Sequence, residues 1–186
     1  MAYTTIDKPS DYFNTVLYTG NGASSRSITG VGFQPDFTWL KARSESEYHF
    51  LYDAIRGATK GLSSDLTAAE ATYSDGLTAF ASDGFTLGSS NGINRSGTTY
   101  ASWNWKAGTS FTNDASATGI GTIDSSGSVN DTAGFSIVSY TGNGSSGATI
   151  KHGLSTAPKI IIAKNRQRAA DWLVFSSSMS SNGDYA

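Results

Sequence analysis

The sequence predicts an all-β chain built as an antiparallel β-sandwich, with one complete unit followed by a truncated second copy. Three observations predict it. Polarity in the 186 residues comes from Ser, Thr, Asn and 21 Gly rather than from charged residues, which make up only 15%. Such residues favour turns and strands over helices. Turn dipeptides recur along the chain, and the five-residue motif YTGNG occurs twice.

The turn dipeptides divide the chain into short segments. Asn-Gly occurs four times and Asp-Gly twice, and both fit two-residue hairpin turns, whose central residues need positive φ. This spacing is typical of a sandwich or a barrel. The runs with strand character are 13–18, 25–31, 36–42, 48–53, 77–80, 84–88, 98–106, 135–140, 147–152, 158–164 and 172–176.

The clearest strand is 98–106, because its residues alternate in character as a half-buried antiparallel strand does. Thr99, Ala101, Trp103 and Trp105 share one face, and Tyr100, Ser102, Asn104 and Lys106 share the other. Two tryptophans beside an alanine predict that the first face lines the core. Tyr100 and Asn104 are then best placed to meet a ligand, although a solvated sheet face is the simpler interpretation.

The repeat extends well beyond the YTGNG motif, which lies at 18–22 and 140–144, an offset of 122 residues. A match of five residues can arise by chance, but some thirty residues of co-linear pattern follow it. After one inserted residue the offset becomes 123. Pro35 then aligns with Pro158, Lys41 with Lys164, Arg43 with Arg166, and the segment 49–52 with 172–175.

The first copy spans 12–108 and the second spans 134–186, where it stops about level with Lys60 of the first. Half a β-domain cannot bury its core face alone. We therefore expect that the natural protein is longer or that a partner supplies the missing strands.

The remaining segments are expected to be less regular. Residues 109–133 are small and polar, and they indicate a linker with a short strand near Ile120 to Ile123. Only 62–73 could hold a short helix, capped by Ser64.

Composition excludes several classes of function. A net charge of −2 gives no electrostatic footprint for nucleic acid or for an anionic membrane. No segment approaches 18 apolar residues, and the first residues lack the regions of a signal peptide. The absence of cysteine excludes disulfides and Cys-ligated zinc.

No motif indicates catalysis, a cofactor or a metal site. The basic loop Arg56–Lys60 does not match GxxxxGK[ST], so structural hydrogen bonds are its expected role. His49 and His152 lie in no recognisable catalytic motif, and a metal site would need a second histidine nearby. The carboxylates of the first unit are expected to support turns, and no calcium-loop pattern is present; they are Asp53, Asp65, Glu70, Asp75 and Asp83.

Several motifs together carry a family resemblance. YTGNG, GFQPDFTWLKAR, HFLYDAIRGATKGL, LTAFASDGFTLGS and YASWNWKAG follow one another in order. They resemble a domain of unknown function repeated in marine bacteriophage proteins, which are often labelled tail fiber or virion structural protein. The resemblance covers nearly all of 12–108 and returns over 134–176. It implies a jelly-roll or lectin-like sandwich.

The resemblance implies a non-enzymatic structural protein on the surface of a phage virion. We expect a tail fiber or tail appendage whose residues 1–11 anchor it to other virion proteins and whose β-units project outward for host adsorption. By analogy it would be a homo-oligomer, such as a trimer.

Three alternatives remain open from the sequence. A capsid decoration or head fiber protein differs only in its neighbours within the particle. A carbohydrate-binding module for host surface glycans predicts an exposed aromatic and polar patch. A depolymerase would require two close carboxylates or a nucleophile with its base.

Overall fold

The structure, a computed structural model, describes residues 6–178. Every strand pair among them is antiparallel, so the predicted all-β antiparallel fold is confirmed. Helices in this part of the chain are single turns, and none has the length or apolarity to cross a membrane.

The elements fall into two groups along the chain. The first group is a 3₁₀ turn (Pro9–Asp11), β1 (Phe13–Thr19), β2 (Arg26–Ile28), β3 (Phe37–Ala42), β4 (Phe50–Asp53), β5 (Lys60–Ser63), β6 (Ala71–Thr72), β7 (Leu77–Ala81), β8 (Gly84–Leu87), α1 (Asn91–Asn94) and β9 (Thr99–Trp105). The second group is β10 (Thr109–Asn113), α2 (Ala115–Thr118), β11 (Ser125–Asn130), β12 (Phe135–Tyr140), β13 (Ile160–Lys164) and β14 (Trp172–Ser176).

The first unit is a sandwich of two sheets. The larger has the strand order β1-β9-β3-β4-β5-β6, and the smaller has the order β2-β8-β7. Side chains from the two inner faces meet between the sheets and remove each other from water. The resulting core consists of Ile28, Val31, Phe33, Leu40, Phe50, Tyr52, Leu77, Phe85, Leu87 and Ile93.

The second unit is more open. Strands β10, β11 and β12 form one sheet, and β13 and β14 form a separate two-stranded sheet. β12 and β13, whose counterparts β1 and β3 both pair with β9 in the first unit, lie in different sheets.

The segment 62–73, predicted to hold a short helix, contains none, and β5 and β6 occupy its ends. The backbone between them bonds to the second unit instead. The Glu70 N–H donates to the Arg166 carbonyl at 3.0 Å, and the Thr67 carbonyl accepts from the Ala170 N–H at 2.9 Å. These partners outside the segment replace the i to i−4 bonds of a helix.

The segment 109–133, expected to be a linker, carries regular structure. It contains β10 and β11, which pair with each other, and β11 also pairs with β12. The strand expected near Ile120 to Ile123 is a bend. The sequence of β11, SSGSVN, has low strand propensity, so its pairing with two neighbours decides its conformation.

The internal repeat is visible in the strand register. The β3–β4 hairpin aligns Phe37 with Asp53, and the β13–β14 hairpin aligns Ile160 with Ser176. Both pairs differ by the offset of 123 found in the sequence. The two hairpins are therefore equivalent in register.

One side-chain contact also repeats at this offset. The Lys41 Nζ donates to the Glu47 carbonyl at 2.6 Å, and the Lys164 Nζ donates to the Ala170 carbonyl at 2.9 Å. The copies therefore share the loop geometry that joins the two strands of each hairpin.

Candidate functional site

Tyr100 and Asn104, the two residues expected to face a ligand, are fully buried at 0% exposure. That prediction of an outward face is wrong. β9 lies between β1 and β3, and its face with Tyr100 and Asn104 is turned toward the small sheet. Alternation along the strand identifies two faces, but it does not say which of them lies inside.

The buried polar groups of this face satisfy one another. The Thr38 hydroxyl donates to Asn104 Oδ1 at 3.0 Å, and Asn104 Nδ2 donates to Ser102 Oγ at 3.0 Å and to the Asn14 carbonyl at 3.2 Å. A buried amide needs such partners, because leaving it unpaired costs about 1–3 kcal/mol. Asn104 therefore has a structural role in the interior.

The tryptophan face of β9 forms the outer side of the large sheet. Trp103 packs edge-on against Trp39, with ring centroids 6.2 Å apart, and Trp105 packs against Phe13 at 4.8 Å. From the second unit, Phe135 stacks on Trp105 at 6.2 Å. These tryptophans are half-buried, so the expectation that they line the main core is wrong. They form an aromatic cluster on the outer side of the large sheet.

The two YTGNG motifs have different surroundings. In the first, the Gly20 N–H donates to the Thr98 carbonyl at 2.7 Å, and a Cβ on Gly20 would lie 2.0 Å from the Arg95 carbonyl oxygen. Only glycine permits that approach. In the second, a Cβ on Gly142 would meet nothing within 4 Å. The second motif therefore lacks the backbone on which the first one packs.

The tyrosine of the motif differs in the same way. Tyr18 stacks on Tyr100 with centroids 5.1 Å apart, and its hydroxyl donates to the Ile93 carbonyl at 2.8 Å. Burial, the main cause, raises the pKa of Tyr18 well above its ordinary value. Its counterpart Tyr140 is 50% exposed.

The clearest surface feature is the pair β13 and β14, which we call the open hairpin. Six apolar side chains on it are 47–63% exposed: Ile160, Ile161, Ile162, Leu173, Val174 and Phe175. Four of their counterparts in the first unit are at most 7% exposed: Thr38, Phe50, Leu51 and Tyr52. Since side chains alternate along a strand, three of the six lie on each face of the open hairpin. Exposed apolar groups of this kind are typical of interaction surfaces.

A carboxylate anchors the tip of the open hairpin to the first unit. Glu70 accepts hydrogen bonds from Arg166, at 2.9 and 3.0 Å, and from Arg56 at 3.1 Å. Burial alone would raise the pKa of Glu70, but the two guanidinium groups outweigh it, and the net pKa is lowered. The bond to Glu70 likewise raises the pKa of Arg166.

The indole of Trp172 adds to this anchor. Its Nε1 donates to the carbonyls of Ser63 and Leu66, each at 3.1 Å. The tip is thus fixed while the strands themselves stay uncovered.

The two histidines and three of the carboxylates make local hydrogen bonds. The Nδ1 of His49 accepts from Trp39 Nε1 at 2.9 Å, and the Nδ1 of His152 accepts from the Leu154 N–H at 3.2 Å. Three carboxylates accept from backbone: Asp53 from Arg56 at 2.7 Å, Asp65 from His49 at 3.1 Å, and Asp83 from Gly30 and Gly32 at 3.0 and 2.6 Å.

In the basic loop 56–60, the Arg56 guanidinium donates hydrogen bonds to Asp53, to Glu70 and to the Leu51 carbonyl. Within residues 6–178, no three His, Asp or Glu side chains gather as a potential metal site.

A shallow polar groove of about 640 Å³ lies beside the second YTGNG motif. Its wall includes Tyr140 together with Asp114, Asp124 and Asn143. An aromatic ring beside several hydroxyl, amide and carboxylate groups is suited to a polyhydroxylated ligand. The sequence pattern did not single out this groove, because eight of its twelve lining residues come from the segment 109–133, which was expected to be a linker.

A family model described as a domain of unknown function (DUF7483) matches residues 8–186. No curated protein and no solved structure matches the chain.

Proposed function

The chain belongs to the DUF7483 family, and on that premise we propose that it is a non-enzymatic structural protein of a bacteriophage virion, which assembles with other chains through its second unit. We place it in a tail fiber or tail appendage, where its N-terminal region attaches to the particle and its β-units project outward for host adsorption. The phage assignment is supported by the motif resemblance over 12–108 and 134–176.

The open hairpin carries the proposal of assembly. Fully burying a large apolar side chain contributes about 1.5–3 kcal/mol. Because the six side chains are already about half covered, a partner that covers both faces of the hairpin would gain roughly 5–9 kcal/mol, against an association cost of roughly 4–15 kcal/mol. The free energy gained from apolar burial therefore comes close to offsetting the cost of association, and further contacts must complete the interface.

Mass spectrometry and immunogold labelling of purified particles test the location. We expect the chain in the particle, with gold at the tail. Label on the capsid shell would favour the decoration or head fiber alternative. Absence of the chain from purified particles would overturn the virion assignment.

A matched pair of variants tests the role of the hairpin. Leu173 on β14 and Leu17 on β1 are each 61% exposed. We expect L173K to lower incorporation into particles and L17K to leave it unchanged. Equal incorporation of both variants would mean that the hairpin is no assembly surface.

The groove favours a second candidate function, the binding of host surface glycans. Tyr140 would stack on a sugar ring, and Asp114, Asp124 and Asn143 would accept or donate hydrogen bonds. Glycan-array binding by the full chain should be lost in Y140A and retained in Y48A, since Tyr48 is 51% exposed at another place. If no glycan is retained, or if Y48A is equally harmful, this candidate is wrong.

A further inference from the structure

We infer that the open hairpin takes up one extended strand from a protein of different sequence, and that this strand resembles β9 in its alternation. The inference rests on the proposed function, because it names the chemistry of the partner that completes the second unit. It belongs to the general class in which a strand is added to an exposed sheet edge.

The first unit shows what fills the equivalent place. β9 lies between β1 and β3 and is antiparallel to both. The counterparts β12 and β13 are each at the edge of their sheet, and within residues 6–178 no strand joins them. The second unit therefore has both neighbours of a β9-type strand without the strand.

The free edge of β13 carries the main-chain groups that such a strand requires. The Ser177 N–H donates to the Lys159 carbonyl at 2.9 Å, as the Ala54 N–H does to the Asp36 carbonyl in the first unit. Since ladder bonds alternate in direction along an antiparallel strand, the odd residues of β13 bond to β14. The N–H and C=O of Ile162 therefore point away from β14, toward the edge that no described strand covers.

The second YTGNG motif lacks the contacts that β9 and the segment leading into it give to the first motif. Gly20 packs on the backbone of 94–98, the segment that leads into β9, whereas Gly142 meets nothing. Tyr18 stacks on Tyr100 of β9, whereas Tyr140 is half-exposed. A docked strand that carries an aromatic residue at the position of Tyr100 would cover Tyr140, so glycan binding and strand docking would compete.

One position distinguishes the partner strand from β9. In the first unit, Asn104 bonds to Thr38 across the strand pair. The counterpart of Thr38 is Ile161, which has no group to pair with a buried amide. The partner strand should therefore carry an apolar residue where β9 has Asn104.

Binding of synthetic peptides to the full chain tests the inference. The peptide 98–108, TTYASWNWKAG, stands in for the partner strand and is compared with its N104V and N104P forms. We expect N104V to bind more tightly than the parent peptide, and N104P to bind at least about tenfold more weakly, because proline removes a ladder donor and interrupts the strand.

Two variants of the chain give the reciprocal measurement. I162P removes an N–H from the free edge without removing a bond to β14, and I162V retains it. We expect I162P to lower the affinity for the N104V peptide at least about tenfold, and I162V to change that affinity less than about threefold. Near-ultraviolet circular dichroism of I162P, compared with the wild-type spectrum, checks that its fold is intact.

The outcomes separate this inference from the proposed function. If no peptide binds at about 1 mM while the chain is present in particles, strand docking is wrong and the structural role stands. Self-association of the chain without peptide, abolished by I162P, would make a second copy the occupant and overturn the inference. If peptides bind but the chain is absent from particles, only the virion role fails.

Discussion

Glu70 and Arg166 form a two-pronged ion pair although 96 residues separate them, with N–O distances of 2.9 and 3.0 Å. The same carboxylate accepts from Arg56, whose side chain is buried in the first unit. One acidic residue thus joins the first sandwich to the tip of the open hairpin, whose strands remain uncovered.

Removing the two partners should have unequal effects. E70A leaves the buried Arg56 with one carboxylate fewer, so we expect a loss of about 2–3 kcal/mol in the free energy of unfolding. Because Arg166 is more than one-third exposed, we expect R166A to cost about 1 kcal/mol or less. Urea unfolding followed by tryptophan fluorescence measures both, and equal losses would contradict the assignment of Glu70 to the buried cluster.

The two YTGNG motifs provide a matched pair of glycine substitutions. G20A places a Cβ against the Arg95 carbonyl oxygen, so we expect it to destabilise the chain by about 1–3 kcal/mol. G142A meets open space, and we expect a change within about 0.5 kcal/mol. Thermal unfolding of both variants gives the comparison. A large loss in G142A would mean that the second motif is already packed.

The sequence alone predicted the antiparallel class and the repeat, because both depend on local patterns. Turn dipeptides and residue types are visible in the sequence itself. The offset of 123 reappears in the structure, where Ile160 pairs with Ser176 as Phe37 pairs with Asp53. The exposure of the open hairpin could be expected in outline, since the second copy showed no counterpart of β9.

The faces of β9 could not be predicted in the same way. Both sides of this strand carry large side chains, and the buried amide of Asn104 is satisfied by Thr38, Ser102 and the Asn14 carbonyl. Likewise, 62–73 avoids a helix because of bonds to Arg166 and Ala170. Residues distant in sequence determine each of these features, so local propensity cannot predict them.

The interior position of Asn104 has a direct consequence for stability. N104A leaves the Thr38 hydroxyl without its acceptor, so we expect a loss of about 1–3 kcal/mol. T15A, on the exposed side of β1, should change stability by less than about 0.5 kcal/mol. Urea unfolding of the two variants tests this. An unchanged stability in N104A would be inconsistent with the buried network.

Asp83 should contribute to a loss of stability in acid. Hydrogen bonds from the Gly30 and Gly32 N–H groups lower the pKa of Asp83 below its ordinary value. A carboxyl with a lowered folded-state pKa stabilises the fold above its unfolded pKa, and the contribution disappears as pH falls through the folded pKa. The wild-type chain should therefore lose more stability than D83N between neutral pH and about pH 2. Parallel pH profiles of the two would refute this role.

Residue-resolved amide hydrogen exchange along β13, measured on the isolated full chain at low concentration, tests most directly whether the second unit is open. The Ile161 and Ala163 amides bond to β14, whereas those of Ile160 and Ile162 face the free edge. We predict that Ile160 and Ile162 exchange at least about tenfold faster than Ile161 and Ala163, because a hydrogen-bonded amide exchanges only after its bond opens. Equal protection of all four amides would contradict the open hairpin, since it would show that the edge is already paired.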